Sequence, residues 1–369
     1  MTSTDTSATL EIAPAARVGS AAPVAAHAQF PALQGLRVLI ALTIMANHWA
    51  DHSYENLIPQ QQITIDIFFM IEGFLAAHLL GQSRATKASV IGHRLLEIYP
   101  LYFLGLLAGV AAVLAWPELR EGWSNAGMVQ SALIGVAGLP IFSVRAEGAV
   151  YPFNWPSWAL LLEFCIFAVL CLAWPRLNVK RLAIAVGTAA VIHVGAYLVF
   201  RDLNMGWRTM NYAGGFARVC FGFGLGALLY LASRGWAARL PRLHPLALFA
   251  AYIAILFVRV RFVGLPLVLV AAPALVILAS VSRPSGWFDA FCARCSPYAY
   301  SIYFMHFPVL VAFKTAAARW GAEQWVASLQ SFVLATALVV GAAYLATRFY
   351  DAPLRRWIEG ALWPKERSA

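Results

Sequence analysis

Arg37 and His48 stand eleven residues apart in the stretch QGLRVLIALTIMANHW (34–49), whose remaining residues are mostly apolar. On an α-helix eleven residues make roughly three turns, so both side chains point the same way, about 16 Å apart along the axis. A guanidinium can hold a phosphate or carboxylate. An imidazole can take a proton from a hydroxyl near neutral pH. Further ionisable side chains lie in apolar surroundings: Asp66, Glu72, Arg94, Glu97, Glu163, His193, Arg218, His306, Lys314 and Arg348. Each costs at least about 2.5 kcal/mol to place at the centre of a membrane helix, so each needs a partner or a task. Sorted by expected depth, His48, Asp66 and Glu163 gather toward one membrane face, and Arg37, Arg94 and Glu97 toward the other. The first group suits acid–base chemistry, with Asp66, or Glu163 in second place, fixing the tautomer of His48. The second suits anion recognition, with Arg37 and Arg94 clamping phosphates. Structural explanations compete: Arg94 and Glu97 are three apart and can pair, and Arg37 can snorkel to headgroups. His193 and Lys314 read as interhelical or interfacial groups with no assigned role.

The elements that must carry these residues follow from composition. The chain has 369 residues, 61% hydrophobic and 12% charged, with a mean hydropathy of +0.69. Those values exclude an ordinary soluble domain and imply an all-α polytopic membrane protein. About ten transmembrane helices are expected, at 33–50, 63–81, 94–115, 157–174, 181–200, 212–232, 245–260, 263–281, 298–319 and 327–349. The Gly-interrupted stretch 124–143 is expected to be interfacial or re-entrant. Ten spans place both termini on one side. The loops and tail on that side hold fourteen of the assigned Lys and Arg, the opposite loops seven, which favours cytoplasmic termini. Residues 1–30, rich in Ala, Ser, Thr and Pro, read as a disordered cytoplasmic tail; 31–358 form the membrane domain and 359–369 a second cytoplasmic tail. The net charge of +10 fits loop topology, and no nucleic-acid module is visible. The five cysteines offer no disulfide or zinc framework, and no metal site is expected.

Six segments, in order, resemble the membrane acyltransferase-3 family, whose members O-acylate bacterial glycans and other acceptors. LQGLRVLIALTIMANHW resembles the opening span, in which ten residues separate the Arg and the His, as they do Arg37 and His48. IDIFFMIEGFLAAHLL resembles V-D-x-F-F-x-x-S-G-F-L, matching Asp66, Gly73 and Phe74. GHRLLEIYPLYFL resembles R-R-x-x-R-I-Y-P-L-Y, and PSWALLLEF resembles W-S-L-x-x-E, which sets Glu163 on the acidic position. YAYSIYFMHFPVL resembles Y-S-I-Y-L-x-H-x-P through Tyr300, Tyr303 and His306, and YDAPLRRWI resembles E-x-P-x-R-R. Three positions depart: Glu97 stands where the family has a second arginine, Glu72 replaces the Ser before Gly-Phe-Leu, and Ala159 replaces the Ser of W-S-L. With Glu97 there, Arg94 carries the phosphate role on its span alone.

The resemblance implies an O-acyltransferase of the bacterial inner membrane, with no fused esterase-like domain. It implies no bound cofactor, acyl-CoA (acetyl-CoA first) as co-substrate, and an acceptor reached from the periplasm. The expected partners are acyl-CoA, a lipid-linked or free glycan such as an exopolysaccharide, membrane lipids and polysaccharide-assembly proteins. On that reading Arg37 and Arg94 hold the donor while His48, oriented by Asp66 or Glu163, activates the acceptor hydroxyl. His306 donates to the carbonyl oxygen or the leaving thiolate, and Tyr300 and Tyr303 serve as oxyanion donors or an acyl relay. Succinyl transfer, transfer to a periplasmic glucan, and a proton-coupled transporter or flippase remain as alternatives.

Overall fold

A computed structural model describes residues 29–50, 57–142, 148–260 and 262–363. Most of the expected N-terminal tail, Arg145, Arg261 and the last six residues lie outside these. Thirteen helices concern us: α1 (Pro31–Ala50), α2 (Ile63–Gln82), α3 (Lys87–Ala115), α4 (Asn125–Val136), α5 (Trp158–Ala173), α6 (Val179–Phe200), α7 (Tyr212–Ser233), α8 (Pro245–Leu256), α9 (Gly264–Ser280), α10 (Trp287–Cys295), α11 (Ala299–Arg319), α12 (Leu329–Leu345) and α13 (Ala352–Leu362). No strand is formed among the described residues. Each expected span holds a helix, but among the described residues seven helical segments, not ten, are long and apolar enough to cross a bilayer; α8 and α9 are shorter apolar helices. The stretch expected to be interfacial or re-entrant forms α4, whose 12 residues reach only about 18 Å, too short to cross.

The protein is an all-α membrane protein whose apolar residues face both inward and outward. On α6, Val191 and Val199 are 74% and 75% exposed, a surface that lipid rather than water covers. Helix α2 is the opposite case and is buried on nearly every face. It packs most extensively against α7. Gly73 of α2 and Gly226 of α7 allow that approach, because a Cβ on either would strike the facing backbone carbonyl of Phe223 or Met70. Helix α11 packs on α1, α3 and α12, so α1, α2, α3, α5 and α11 all present side chains to one interior.

Two departures from regular spans matter for the site. Residues 148–157, before α5, fold into the bundle instead of over it. Val150 donates its amide to Trp207 O at 2.9 Å, Asn154 Nδ2 to Phe304 O at 2.9 Å, and Tyr303 Oη to Pro156 O at 2.6 Å. Helix α5 therefore starts below the surface, and its 16 residues extend only about 24 Å. At the other end, α12 passes through a π-turn (Ala346–Asp351) into α13. This last helix exposes Trp357 and is followed by Trp363, which stacks on His93 at 4.1 Å.

Candidate active site

The ionisable residues form three constellations. Nearest the Arg37 end, two arginines and three glutamates interlock around Tyr300. Arg37 Nε lies 2.5 Å from Glu72 Oε1, and its Nη1 donates to Gln34 Oε1 at 2.8 Å. Arg94 Nη1 donates to Glu97 Oε2 at 2.7 Å, while Nη2 reaches Glu72 Oε2 at 2.8 Å, the Tyr300 hydroxyl at 2.7 Å and Glu163 Oε1. Tyr300 in turn donates toward Glu72 Oε2 at 3.1 Å. Its ring lies 5.0 Å from the Arg37 guanidinium carbon and 5.6 Å from that of Arg94, which adds cation–π attraction. All but Glu97 are buried. A buried cation without a carboxylate partner is expensive, and this packing supplies the partners.

The second constellation is a pair. Arg218 grips Asp66 with both ends, Nε to Oδ1 at 3.0 Å and Nη2 to Oδ2 at 2.8 Å. Its remaining donors reach Gln62 O at 2.7 Å and Met205 O at 3.2 Å. The residues are 1% and 0% exposed, so the pair fastens α7 to α2 in the interior.

The third constellation is the imidazole pair at the far end of α1. The rings of His48 and His306 stack at 5.3 Å with 30° between planes. His306 is fully buried and His48 is partly open. His306 Nδ1 lies 3.2 Å from Ile302 O. A carbonyl can only accept, so Nδ1 carries the hydrogen and Nε2 turns a lone pair to the interior. Nε2 has no hydrogen-bond partner among the described residues. Lys314 Nζ donates to His48 O at 2.8 Å, tying α11 to the end of α1. A run of rings leads outward from His48: Phe307 at 5.5 Å, then Trp155, 5.3 Å from Phe307, then Trp207, 5.0 Å from Trp155. The exposed Arg208 lies 4.1 Å over Trp207.

This arrangement corrects three sequence-based expectations. Asp66, expected as the carboxylate of His48, is held instead by Arg218, which takes both of its oxygens. Glu163 joins the arginines rather than the histidines, because the buried 148–157 segment starts α5 deep and carries Glu163 inward. Tyr300 and Tyr303, expected as oxyanion donors or an acyl relay, donate their hydroxyls to internal acceptors, Glu72 and Pro156 O. Arg37 and Arg94 do converge as expected, though with carboxylates already between them. Glu72, seen in the sequence as a departure, bridges them. Arg218 and Lys314 are visible in the sequence as intramembrane cations, but their partners are not, since Arg218–Asp66 spans 152 positions and Lys314–His48 spans 266. Among the described residues, no three His, Cys, Asp or Glu side chains converge as metal ligands would.

The sequence comparison decides the class. The family described as "Acyltransferase domain", acyltransferase-3, matches residues 30–348. The chain belongs to that family. The acyltransferase-3 match takes in α1 through α12, hence every residue of the three constellations. A similar protein is "Protein 2 in picA locus" of Rhizobium radiobacter, 26% identical over 178 residues that cover 44% of this chain and 92% of that one. No solved structure matches. This acyltransferase therefore has an interior in which a half-open histidine stacks on a buried one, with a dense arginine–glutamate network deeper along the same helices.

Proposed function

We propose that the protein moves an acetyl group from acyl-CoA to a hydroxyl of an exopolysaccharide or other cell-surface glycan. On this reading it sits in the bacterial inner membrane with both termini cytoplasmic. The single observation that supports this most is the stacked His48–His306 pair in an acyltransferase interior, open on the His48 side only. His48 takes the proton of the acceptor hydroxyl as its oxygen attacks the thioester carbonyl. The carbon–sulfur bond then breaks, and the departing thiolate must receive a proton. His306 Nε2, an acceptor in the neutral ring, becomes a donor once protonated, so a small ring rotation or a water that links a nitrogen of each ring would carry the proton from the His48 imidazolium to the sulfur. Arg37 and Arg94 hold the donor along the path to the histidines.

The acceptor side is favoured by the aromatic run ending at Arg208, which is the kind of surface that sugar rings and their carboxylates contact. The excess of Lys and Arg in the loops on the Arg37 side favours a cytoplasmic donor entrance. The test is saturable binding of acetyl-CoA to the purified protein in nanodiscs, followed by mass analysis of glycans from cells with and without the gene. Binding together with a loss of acetyl mass in the deleted strain is the expected result. No binding at millimolar donor would refute the donor assignment. A lost mass of succinyl instead would change the acyl group but keep the class.

A further inference from the structure

The arginine–glutamate network has the wrong charge for the task its arginines suggest. Two guanidiniums face three carboxylates, Glu72, Glu97 and Glu163, at hydrogen-bonding distance. A phosphate entering here would displace carboxylates that are already paired and would lie beside those it left, a repulsive arrangement at low dielectric. The network nevertheless leaves particular atoms unserved. Arg37 Nη2 and Arg94 Nε are buried donors with no partner, and Glu163 Oε2 is a buried acceptor with none. A buried polar atom without a partner is expensive and points to a missing ligand or water. These orphans ask for a neutral group that both accepts and donates, which describes a secondary amide.

We propose that the Arg37–Glu72–Arg94–Glu163–Tyr300 network is a seat for the amide-bearing pantetheine arm of the donor, not for its phosphates. The inference rests on the acyl-CoA reading above and specifies which part of the donor these residues meet. An amide carbonyl accepts from Arg37 Nη2 or Arg94 Nε, and an amide N–H donates to Glu163 Oε2. Depth agrees with this. Tyr300 and His306 are six residues apart on α11, about 9 Å along the axis, so a thioester at the histidines brings the arm, rather than the nucleotide, past Tyr300. Glu72 gains a function on this account. Standing where the family resemblance has Ser, it bridges Arg37 and Arg94 and, with Glu97 and Glu163, leaves no excess positive charge to draw a phosphate, which favours an uncharged chain.

The experiment separates the donor into its parts. In nanodiscs, affinities are measured for acetyl-CoA, for acetyl-pantetheine, which lacks all phosphates, and for 3′,5′-ADP, which lacks the arm. Wild type and the Arg37→Gln and Glu163→Gln variants are compared, each checked for a monodisperse elution profile. Hydrogen bonds to charged groups are worth about ten- to a hundredfold in binding. Each substitution should therefore weaken acetyl-CoA and acetyl-pantetheine together by about tenfold or more and leave 3′,5′-ADP unchanged. Weakened 3′,5′-ADP with unchanged acetyl-pantetheine would overturn the proposal and return the arginines to a phosphate clamp. Should either variant fail to fold, wild type alone still decides. Acetyl-pantetheine binding within about tenfold of acetyl-CoA supports the arm seat, and a loss beyond a hundredfold refutes it. Absence of acetyl-CoA binding by wild type would instead refute the donor reading itself, and this proposal with it.

Discussion

Replacing Arg218 by Gln separates a structural from a catalytic task for Asp66. The guanidinium supplies four hydrogen bonds, two to Asp66 and one each to Gln62 O and Met205 O, at a site 1% exposed. Removing one member of a buried pair leaves the other charged and unpartnered, at a cost of about 3–5 kcal/mol. The two carbonyls that lose a donor argue for the upper part of that range. Asp66→Asn should have a similar effect, because Arg218 would then be the stranded charge. The double variant Asp66→Asn/Arg218→Gln removes both charges, though Gln leaves the Gln62 and Met205 carbonyls without their donor, so it should recover the part of the loss due to the stranded charge, giving a coupling of about 3 kcal/mol. The assay is unfolding of the four proteins in mixed micelles by SDS titration, with acyl transfer measured alongside. If Asp66 oriented His48, the double variant would recover stability but not activity. Recovery of both is expected; additive losses, or activity lost in every Asp66→Asn background, would refute the assignment of Asp66 to the frame.

Three further outcomes follow from the same geometry. His306→Gln should lower turnover by about a hundredfold or more with an unchanged elution profile and melting point; activity within twofold of wild type would remove His306 from the proton path. Glu72→Gln should cost about 3 kcal/mol or more in unfolding free energy, because Arg37 loses its carboxylate while Arg94 keeps Glu97 and Glu163; an unchanged midpoint would contradict the bridging role. Gly73→Ala should destabilise by about 1–3 kcal/mol, since the new methyl meets the Phe223 carbonyl across the α2–α7 contact; a midpoint at the wild-type value would show that the two helices can separate to admit it.

What the sequence made legible was whatever depends on local order. Apolar runs located the helices, and the eleven-residue spacing of Arg37 and His48 placed them at opposite ends of α1. The i, i+3 pairing of Arg94 with Glu97 was readable from the sequence alone and is present. Depth estimates failed where the chain does not run straight from surface to surface. Position along its span puts Glu163 with the histidines, whereas residues 148–157 dive into the bundle before α5 begins, and hydropathy cannot distinguish a buried loop from a covering one. Asp66 and His48 read as partners because the sequence sets both near the same end of neighbouring spans. Arg218, on a helix 152 positions away, competes for it more strongly through two charge-assisted bonds. Long-range pairing of this kind leaves no periodic trace in one sequence.

The central claim is that His48 activates the acceptor hydroxyl. The direct measurement is transfer of labelled acetyl from acetyl-CoA to extracted glycan by wild type and His48→Ala in nanodiscs, at equal protein and with elution profiles matched. The account predicts that His48→Ala folds, still binds acetyl-CoA, and transfers no label above background. Transfer by His48→Ala at the wild-type rate would contradict it.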